Sequence, residues 1–319
     1  MIEFLIKKTT DLTDNEINRI CLLFKEIFVN HSKSIVEFKN EFLNTALGFS
    51  FHALMVNNGE IIGSHSLIPC HYNMNRISFL AAFSVDTMIK KGYRDFFNLK
   101  DMVELAEREA SKYGVRFIFG FPNDNSYPVL KKGLKYKDIG RMSTYIYPYR
   151  IGGIKSNLRL LNFLSIAFCR FREGISAFLI NKKVYDFCLD KDRSSYNLYR
   201  YQWFDGLYKI VTLDDFQFVY KIITYNNIRT AFLIDIDKIS SFNIHCAVSY
   251  IRQKERRNFD LLMYIGYLPC RSLPFIKLPH KFEPKNFNFI GKFLDQNSQD
   301  ERLFNIRNWN VNLSCYDLI

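Results

Sequence analysis

A short stretch of cationic and aromatic residues, KKGYRDFFN (residues 90–98), lies between an apolar run and a strongly helical run. Lys90, Lys91 and Arg94 bring positive charge to the point where a strand would turn into a helix. The first N–H groups of a helix have no partner inside it, and the helix dipole favours anions there. Cations at this position therefore predict a turn that binds a phosphate group.

Two buried strands and a helix would position this turn. The run Ile77–Thr87 (ISFLAAFSVDT) is almost continuously apolar, which is typical of a strand buried on both faces. Residues 99–110 place apolar side chains at helical spacing, with Glu107 among the charged residues of the outer face, and Gly114 ends the helix. The strand VRFIFGF (115–121) and a loop with a further helix follow, so this order predicts a βαβ unit.

The second half of the chain repeats this order of elements. In the first half, a hairpin around Asn58-Gly59 precedes the buried strand. In the second half, a hairpin around Asn226-Asn227 is followed by a helix over residues 239–255 and by the strand FDLLMYIGYL (259–268). This repetition indicates an internal duplication.

Residues 151–193 differ in composition from both halves. The run LRLLNFLSIAFCRFREGISAFLI mixes Leu, Phe and Ile with Arg and predicts one or two helices. A basic face could include Arg159, Arg170, Arg172 and Lys182-Lys183. One interpretation is a connecting helical segment packed between domains, and the other is a helix lying on an anionic membrane surface.

Composition limits the classes of partner and the location. The formal charge of +12 favours anionic partners, but no nucleic-acid reading motif is present, so no nucleic-acid partner is expected. The seven cysteines occur singly, without CxxC pairs or zinc spacing, which predicts no metal site and a reducing compartment. There is no apolar run of 18 residues and no signal-peptide pattern at the N-terminus. We expect a cytoplasmic protein, either free or peripheral to the inner face of the membrane through residues 151–193.

Three motifs in a fixed order carry a resemblance to a known family. The strand ending FSVDT, the turn KKGYR opening a helix, and the stretch GFPNDNSYPVLKKGLKY resemble the central motifs of the GNAT acyltransferase superfamily over about Phe79–Tyr136. The resemblance implies an α/β fold (an α+β mixed sheet) of GNAT type, duplicated, with a helical insertion between the units. The expected domains are 1–150, which binds acyl-CoA, 151–193, a helical connection, and 194–319, a second unit lacking a cofactor loop.

The resemblance also implies which residues hold acetyl-CoA or another acyl-CoA. Two neighbouring strands of this fold splay apart, and the pantetheine arm would bond to the backbone of Ser84–Met88 like an added strand. The pyrophosphate would lie at the N-terminus of the following helix, and Asn123 matches a family residue that contacts the arm. The expected contacts are Val85, Thr87, Lys90, Lys91, Arg94, Asp95, Phe96, Phe97, Asn123 and Ser126. The alternatives are a surface arginine for Arg94 and a turn former for Asn123.

The turn departs from the family signature Gln/Arg-x-x-Gly-x-Gly/Ala. Starting at Arg94 the sequence is RDFFNL, so that Phe97 and Leu99 replace both small residues. A phenylalanine side chain can obstruct a pyrophosphate, and Asp95 would repel it. The family tyrosine that protonates the leaving thiolate is Leu130 here, and Tyr127 is a substitute general acid unless it packs under the loop.

Transfer to an amine also requires a base or a water chain that removes the ammonium proton. Asp86, at the end of the buried strand, is one candidate, although strand alternation could turn it away from the cleft. His65 and His71 flank the sequence SLIPC and are the other two candidates. Their alternative role is that of hydrogen-bonded, semi-buried histidines.

The leading functional hypothesis is an enzyme that moves an acetyl or other acyl group from acyl-CoA to a small-molecule amine by direct attack in a ternary complex. The tail NWNVNLSCYDLI resembles the ends of bacterial two-part acyltransferase-like proteins, some found near cell-surface sugar biosynthesis, so an amino sugar is one candidate acceptor. The alternatives are a non-catalytic GNAT-like protein that binds a ligand or partner, and a protein that binds nucleic acid or a membrane surface. The oligomeric state stays open.

Overall fold

The computed structural model describes residues 1–28, 31–201, 207–295 and 300–316. The strands are β1 Ile2–Lys8, β2 Phe51–Asn57, β3 Glu60–Met74, β4 Ile77–Ile89, β5 Val115–Gly120, β6 Lys137–Arg141, β7 Ser143–Tyr147, β8 Leu189–Lys191, β9 Lys209–Leu213, β10 Phe216–Tyr225, β11 Ile228–Ile236, β12 Leu261–Gly266, β13 Ile276–Lys277 and β14 Asn288–Phe293. The α-helices are α1 Asp14–Ile27, α2 Ile35–Leu43, α3 Phe96–Lys112, α4 Ser126–Gly133, α5 Ile151–Ile154, α6 Asn162–Leu179, α7 Arg193–Arg200 and α8 Ser241–Glu255. Short 3-10 turns include Lys91–Tyr93 and Ser156–Leu161.

The first sheet has the strand order β1-β2-β3-β4-β5-β14-β6, with β8 beside β3. Strands β1 to β4 pair antiparallel in succession. Strands β4 and β5 run parallel, and α3 connects them. The predicted βαβ unit is therefore present, and the turn KKGYRDFFN lies between β4 and the first turn of α3.

Helices cover both faces of this sheet. Phe51 and Ala53 of β2 belong to the apolar core that α3 buries. His52, which lies between them in sequence, contacts the rings of Phe38 and Phe42 of α2. Because successive residues of a strand point to opposite faces, α2 and α3 lie on opposite faces of the first sheet.

The second sheet repeats the central order of the first. Its strands are arranged β13-β7-β12-β11-β10-β9. Strands β10 and β11 form an antiparallel hairpin, and β11 and β12 run parallel with α8 between them in sequence. Asn226 and Asn227 have positive φ angles of 49° and 63°, as a two-residue hairpin turn requires. The predicted mixed α+β sheets and their duplication are confirmed.

The chain forms two compact units, each built from three stretches of sequence. The first unit comprises Met1–Gly140, Cys188–Asp205 and Phe287–Trp309, and the second comprises Arg141–Phe187, Gly206–Asn286 and Asn310–Ile319. Strand pairing crosses the expected boundaries: β7 joins the second sheet, and β14 joins the first. The contiguous ranges 1–150, 151–193 and 194–319 stay a prediction about domains.

Candidate cofactor site

An open position lies beside β4, at the point where β5 leaves the first sheet. The parallel pairing of the two strands ends at Ser84 and Gly120, whereas β4 continues to Ile89. Residues 84–87 are half-buried, although the residues before and after them on this central strand are buried. Strand β4 thus extends beyond the end of β5 and is partly exposed there. The predicted splay of the two strands next to Val85 and Thr87 stays a prediction.

A bulge in β4 determines where the side chains at this gap point. The register with β3 shifts here, so that His65 lies opposite both Asp86 and Thr87. Asp86 has a φ of 49°, a left-handed conformation that is uncommon for residues other than glycine. A bulge of this kind bends a strand and redirects the neighbouring side chains.

The carboxylate of Asp86 is held by a buried lysine. Its Oδ2 atom lies 2.7 Å from Nζ of Lys33, which also pairs with Glu41. Burial alone would lower the pKa of Lys33, but the two carboxylates outweigh this effect and raise it above the ordinary value. Asp86 is therefore engaged by a cation, and this geometry fits the alternative in which its side chain turns away from the cleft.

His65 lies at the bulge, whereas His71 lies far from it. The Nδ1 atom of His65 is 2.8 Å from Oγ1 of Thr87, and its buried Nε2 atom has no partner among the described residues. Burial lowers the pKa of His65 to about 4, so the ring is neutral at physiological pH. His71 pairs with Leu80, five residues before Val85, which corresponds to roughly 16 Å along the strand.

The turn after β4 supplies one well-placed cation. The Nε atom of Arg94 donates to the carbonyl oxygen of Ile89 at 2.7 Å, which ties the side chain to the end of the strand. Within the described part of the chain the Nη groups of Arg94 form no hydrogen bond or ion pair, and Lys91 is exposed. Lys90 instead lies 2.7 Å from a carboxylate oxygen of Glu60. Arg94 and Lys91, but not Lys90, are thus available to an anion.

Asp95 caps the N-terminus of α3 and accepts a hydrogen bond from one of its free N–H groups. Its Oδ1 atom accepts a hydrogen bond from the N–H of Asn98 at 2.8 Å, and the Asn98 amide donates back to Asp95 Oδ2 at 2.5 Å. An N-cap carboxylate uses one of the N–H groups that an incoming phosphate would need. The site therefore carries its own anion at the position where the resemblance implies a pyrophosphate.

The two phenylalanines that replace small residues in this turn have different environments. Phe97 is 72% exposed and lies in solvent rather than in the core. Phe96 packs against α4, since a Cβ atom added to Gly133 would come within 2.2 Å of its ring. Leu99 packs against the core under α3. The helix start is thus joined to α4 by Phe96, and Phe97 is free to meet a ligand.

The loop after β5 uses its polar side chains to start α4. The Oδ1 atom of Asn123 accepts hydrogen bonds from the N–H groups of Asn125 and Ser126, at 3.1 and 2.9 Å, which fits the turn-former alternative. The hydroxyl of Tyr127 donates to Asp138 Oδ1 at 2.6 Å, and this hydrogen bond raises the pKa of Tyr127. Its proton is therefore directed to Asp138. Within the described chain, the predicted catalytic residues Asp86, His65, His71 and Tyr127 do not form an acid–base pair with one another.

In the second unit, segment 310–316 fills the corresponding position. Strand β11 continues beyond its last pairing with β12. The N–H of Tyr267 donates to the carbonyl oxygen of Val311 at 3.0 Å, and Asn312 Nδ2 donates to Asp235 Oδ1 at 2.8 Å. Residues 234–236 of β11 are buried, in contrast to residues 84–87 of β4. The tail segment 310–316 therefore closes the second gap, and the predicted residues 317–319 of the tail lie outside the described chain.

Replacing Gly266 by alanine is expected to destabilise this closure. A Cβ atom there would lie 2.7 Å from the Val311 carbonyl oxygen and 2.7 Å from the Tyr264 hydroxyl. Overpacking of this kind costs about 1–3 kcal/mol, which urea unfolding of the full chain would measure. Gly174→Ala in α6 is the matched control, since its Cβ would meet no atom within 4 Å. Equal stability of the two variants would contradict the tight contact at the tail.

Comparison with known proteins gives a fold but no relative by sequence. No protein-family model matches the chain, and no curated protein matches it. One similar solved structure is a GCN5-related N-acetyltransferase from Kribbella flavida, with a TM-score of 0.57 and 10% identity over 92% of this chain and 71% of that one. A second is Eis1 from Mycobacterium abscessus, with a TM-score of 0.52 and 13% identity over 92% of this chain and 74% of that one. A third is the N-myristoyltransferase of Saccharomyces cerevisiae with bound myristoyl-CoA, with a TM-score of 0.53 and 10% identity over 91% of this chain and 78% of that one.

These matches extend over both units and both mixed sheets of the chain. At identities of 10–13% they establish architecture rather than activity. The parallel β4 and β5, the helix that follows the cationic turn, and the repeat of this order in the second unit agree with the same architecture. The chain has the GNAT acyltransferase fold.

Proposed function

We propose that the first unit binds acyl-CoA and transfers its acyl group to an amine. The observation that carries the proposal is the open stretch of β4 at residues 84–87, beside the end of β5, in a GNAT fold. The pantetheine arm would lie along Val85 and Thr87, and the phosphates would meet Arg94 and Lys91. The exposed ring of Phe97 lies next to these cations in sequence and offers a surface on which the adenine could stack.

Direct transfer balances without a covalent enzyme intermediate. The amine nitrogen attacks the thioester carbonyl, a C–N bond forms, the C–S bond breaks, and CoA leaves as the thiolate. Backbone N–H groups at the end of β4 would polarise the carbonyl. The ammonium proton would pass to water, because Asp86 is engaged by Lys33 and His71 lies far along the strand. His65 would act as a positioning residue that orients the hydroxyl of Thr87.

The acceptor in this proposal is a small-molecule amine, and an amino sugar is the first candidate to test. A net charge of +12 suits an acceptor attached to an anionic carrier, such as a nucleotide or a phosphorylated lipid. Mass spectrometry of products formed from acetyl-CoA or a longer acyl-CoA and a panel of amines would identify the acceptor class.

Arg94→Gln is expected to weaken acyl-CoA binding by about tenfold to a hundredfold, because a hydrogen bond to a charged group contributes about 1.5–3 kcal/mol. Thermal unfolding with and without CoA, acetyl-CoA and a long-chain acyl-CoA would measure it, since a ligand at 100 times its Kd stabilises the native state by about 2.7 kcal/mol. Arg108→Gln, at an exposed arginine on α3, is the control. The absence of any shift in the unmodified protein at millimolar ligand would refute the proposal.

A second candidate function follows from Asp95. Its carboxylate already caps α3, and the hydroxyl proton of Tyr127 is directed to Asp138, so the unit could bind a ligand without catalysing transfer. Asp95→Asn keeps a capping side chain but removes the charge, and should tighten CoA binding by about two- to fivefold. Binding of acyl-CoA without any acylated product from the amine panel would favour this second candidate.

A further inference from the structure

Helix α6 exposes a continuous apolar face in the second unit. Its inward stripe consists of the buried residues Cys169, Glu173 and Ser176. The outward side chains are large and apolar, with Phe171 66% exposed and Phe178 90% exposed. We call this surface the α6 apolar face and define it as Phe163, Leu164, Phe168, Phe171, Ile175, Phe178 and Leu179. A contiguous exposed patch of this kind marks an interaction site rather than an ordinary solvent face.

The charged residues of α6 are placed at the borders of this face. Arg170 and Arg172 flank Phe171 in sequence, so each lies about 100° from it, on opposite sides of the helix. Glu173 lies about 200° from Phe171, on the inward side, where it accepts hydrogen bonds from Arg252 at 2.7 and 2.9 Å. The face is thus wholly apolar at its centre, with the exposed Arg170 at one edge and Arg172 at the other, where Arg172 is half-buried and donates to the carbonyl oxygen of Phe275 at 2.9 Å.

The surrounding segment carries predominantly positive charge. Residues 151–187 contain two acidic side chains: Glu173, which is buried and paired, and Asp186, which is exposed. The same residues contain six cations: Lys155, Arg159, Arg170, Arg172, Lys182 and Lys183. Complementarity of charge therefore points to an extended anionic surface around an apolar centre.

We propose that the α6 apolar face lies in the plane of an anionic lipid bilayer. A helix with aromatic and aliphatic residues on one side and arginine or lysine at its borders has the composition of an interfacial helix. In this arrangement the phenylalanine rings enter the boundary between headgroups and acyl chains, and the border cations contact lipid phosphates. Among the described helices none is long and apolar enough to cross a membrane, so the contact is at the surface.

A groove of mixed polar and apolar lining next to the face supplies room for a headgroup. Its volume is about 570 Å³, and its lining includes the border residue Arg170, His245, Gln253, and Glu173 bonded to Ser249 and Arg252. These side chains lie on α6 and α8 of the second unit. Hydrogen-bond donors beside an apolar face are the arrangement that a phospholipid at a bilayer surface would meet.

Co-sedimentation of the full chain with vesicles tests this proposal. We expect binding to vesicles of phosphatidylcholine with one quarter phosphatidylglycerol, little binding to phosphatidylcholine alone, and release in 0.5 M salt. The variant Phe171→Ser/Phe178→Ser should lose at least about tenfold in affinity for the anionic vesicles. Phe282→Ser is the matched control, since Phe282 is 62% exposed but lies outside the segment. Both substitutions are at exposed positions, and circular dichroism would verify that the variants are folded.

The charge at the borders has its own test. Lys182→Gln/Lys183→Gln should weaken binding by about tenfold or more, since each cation near an anionic surface contributes about fivefold. Equal binding to neutral and anionic vesicles would contradict the proposed preference for an anionic bilayer. Equal vesicle binding by Phe171→Ser/Phe178→Ser and Phe282→Ser would contradict the proposal that the α6 apolar face contacts the bilayer. The proposal would also be overturned if the protein bound no vesicles and formed a dimer that Phe171→Ser/Phe178→Ser converts to a monomer. The α6 apolar face would then be an interface with a second copy of the chain.

Discussion

Replacing Lys33 by methionine is expected to lower the free energy of unfolding by about 3–5 kcal/mol, because it leaves two buried carboxylates without their cation. The ammonium group pairs with Asp86 and Glu41, and all three side chains are at most 12% exposed. It also lies 4.9 Å from the ring centres of Phe24 and Phe42, so that water cannot replace it readily. Urea unfolding of the full chain at neutral pH measures this loss.

Lys39→Met is the matched control for Lys33→Met. Lys39 pairs with Asp14 on the surface, where an ion pair contributes at most about 1 kcal/mol. Adding Glu41→Gln and Asp86→Asn to Lys33→Met should recover most of the stability, because no buried charge then remains unpaired. A loss below about 1 kcal/mol for Lys33→Met alone would show that the triad is hydrated and that the position of Asp86 is not fixed by it.

Lowering the pH from 6.5 to 5 is expected to destabilise the protein, with a slope that rises to at most about 2.7 kcal/mol per pH unit. His52 is buried between Thr9 and Ser66, and burial lowers its pKa to about 3, while burial lowers that of His65 to about 4. Both rings are neutral in the folded state but bind a proton in the unfolded state below about pH 6.5. The contribution of these two neutral rings to the free energy of unfolding is therefore complete above about pH 6.5. It is lost, by up to about 1.4 kcal/mol per pH unit for each ring, as the pH falls towards the pKa values of the folded state.

Urea unfolding at pH 7.5, 6.5, 5.5 and 5.0 would measure this dependence. The window lies above the ordinary pKa values of Asp and Glu, so histidines make the main contribution. Burial raises the pKa of Glu107, which acts in the opposite direction. His245, whose pKa burial also lowers, changes stability in the same direction. His65→Gln should reduce the slope by up to about 1.4 kcal/mol per pH unit. A flat dependence between pH 6.5 and 5 would contradict the buried, neutral state of His52 and His65.

The elements that the sequence predicts best are those fixed by local patterns. Strands β10 and β11 occupy the same residues, 216–225 and 228–236, that their apolar runs and the Asn226-Asn227 turn indicate. Glu107 shows the limit of such patterns. The sequence places it on the outer face of α3, but it is buried and hydrogen-bonded to Tyr136 and Lys292, the latter 185 residues away. Helical periodicity cannot reveal a partner that distant.

The candidate site also combines features that local sequence patterns predict with features that depend on distant contacts. The order of strand, cationic turn and helix is local, and the sequence predicts it correctly. The N-cap role of Asp95, three residues before Asn98, is also local and could have been recognised from the sequence. The pairing of Asp86 with Lys33 could not, because it depends on a bulge in β4 and on a side chain 53 residues away. Likewise, no local pattern indicates that the tail occupies the gap of the second unit.

The placement of β14 has a consequence for the order in which the chain matures on the ribosome. This strand, residues 288–293, lies between β5 and β6 in the first sheet, and segment 310–316 completes the second unit. A nascent chain that has emerged only as far as β12 therefore exposes an unpaired edge on β5 and an unfilled gap beside β11. Neither unit can reach its final hydrogen bonding until β14 and segment 310–316 have emerged, so the two halves of the duplicated fold cannot mature strictly one after the other.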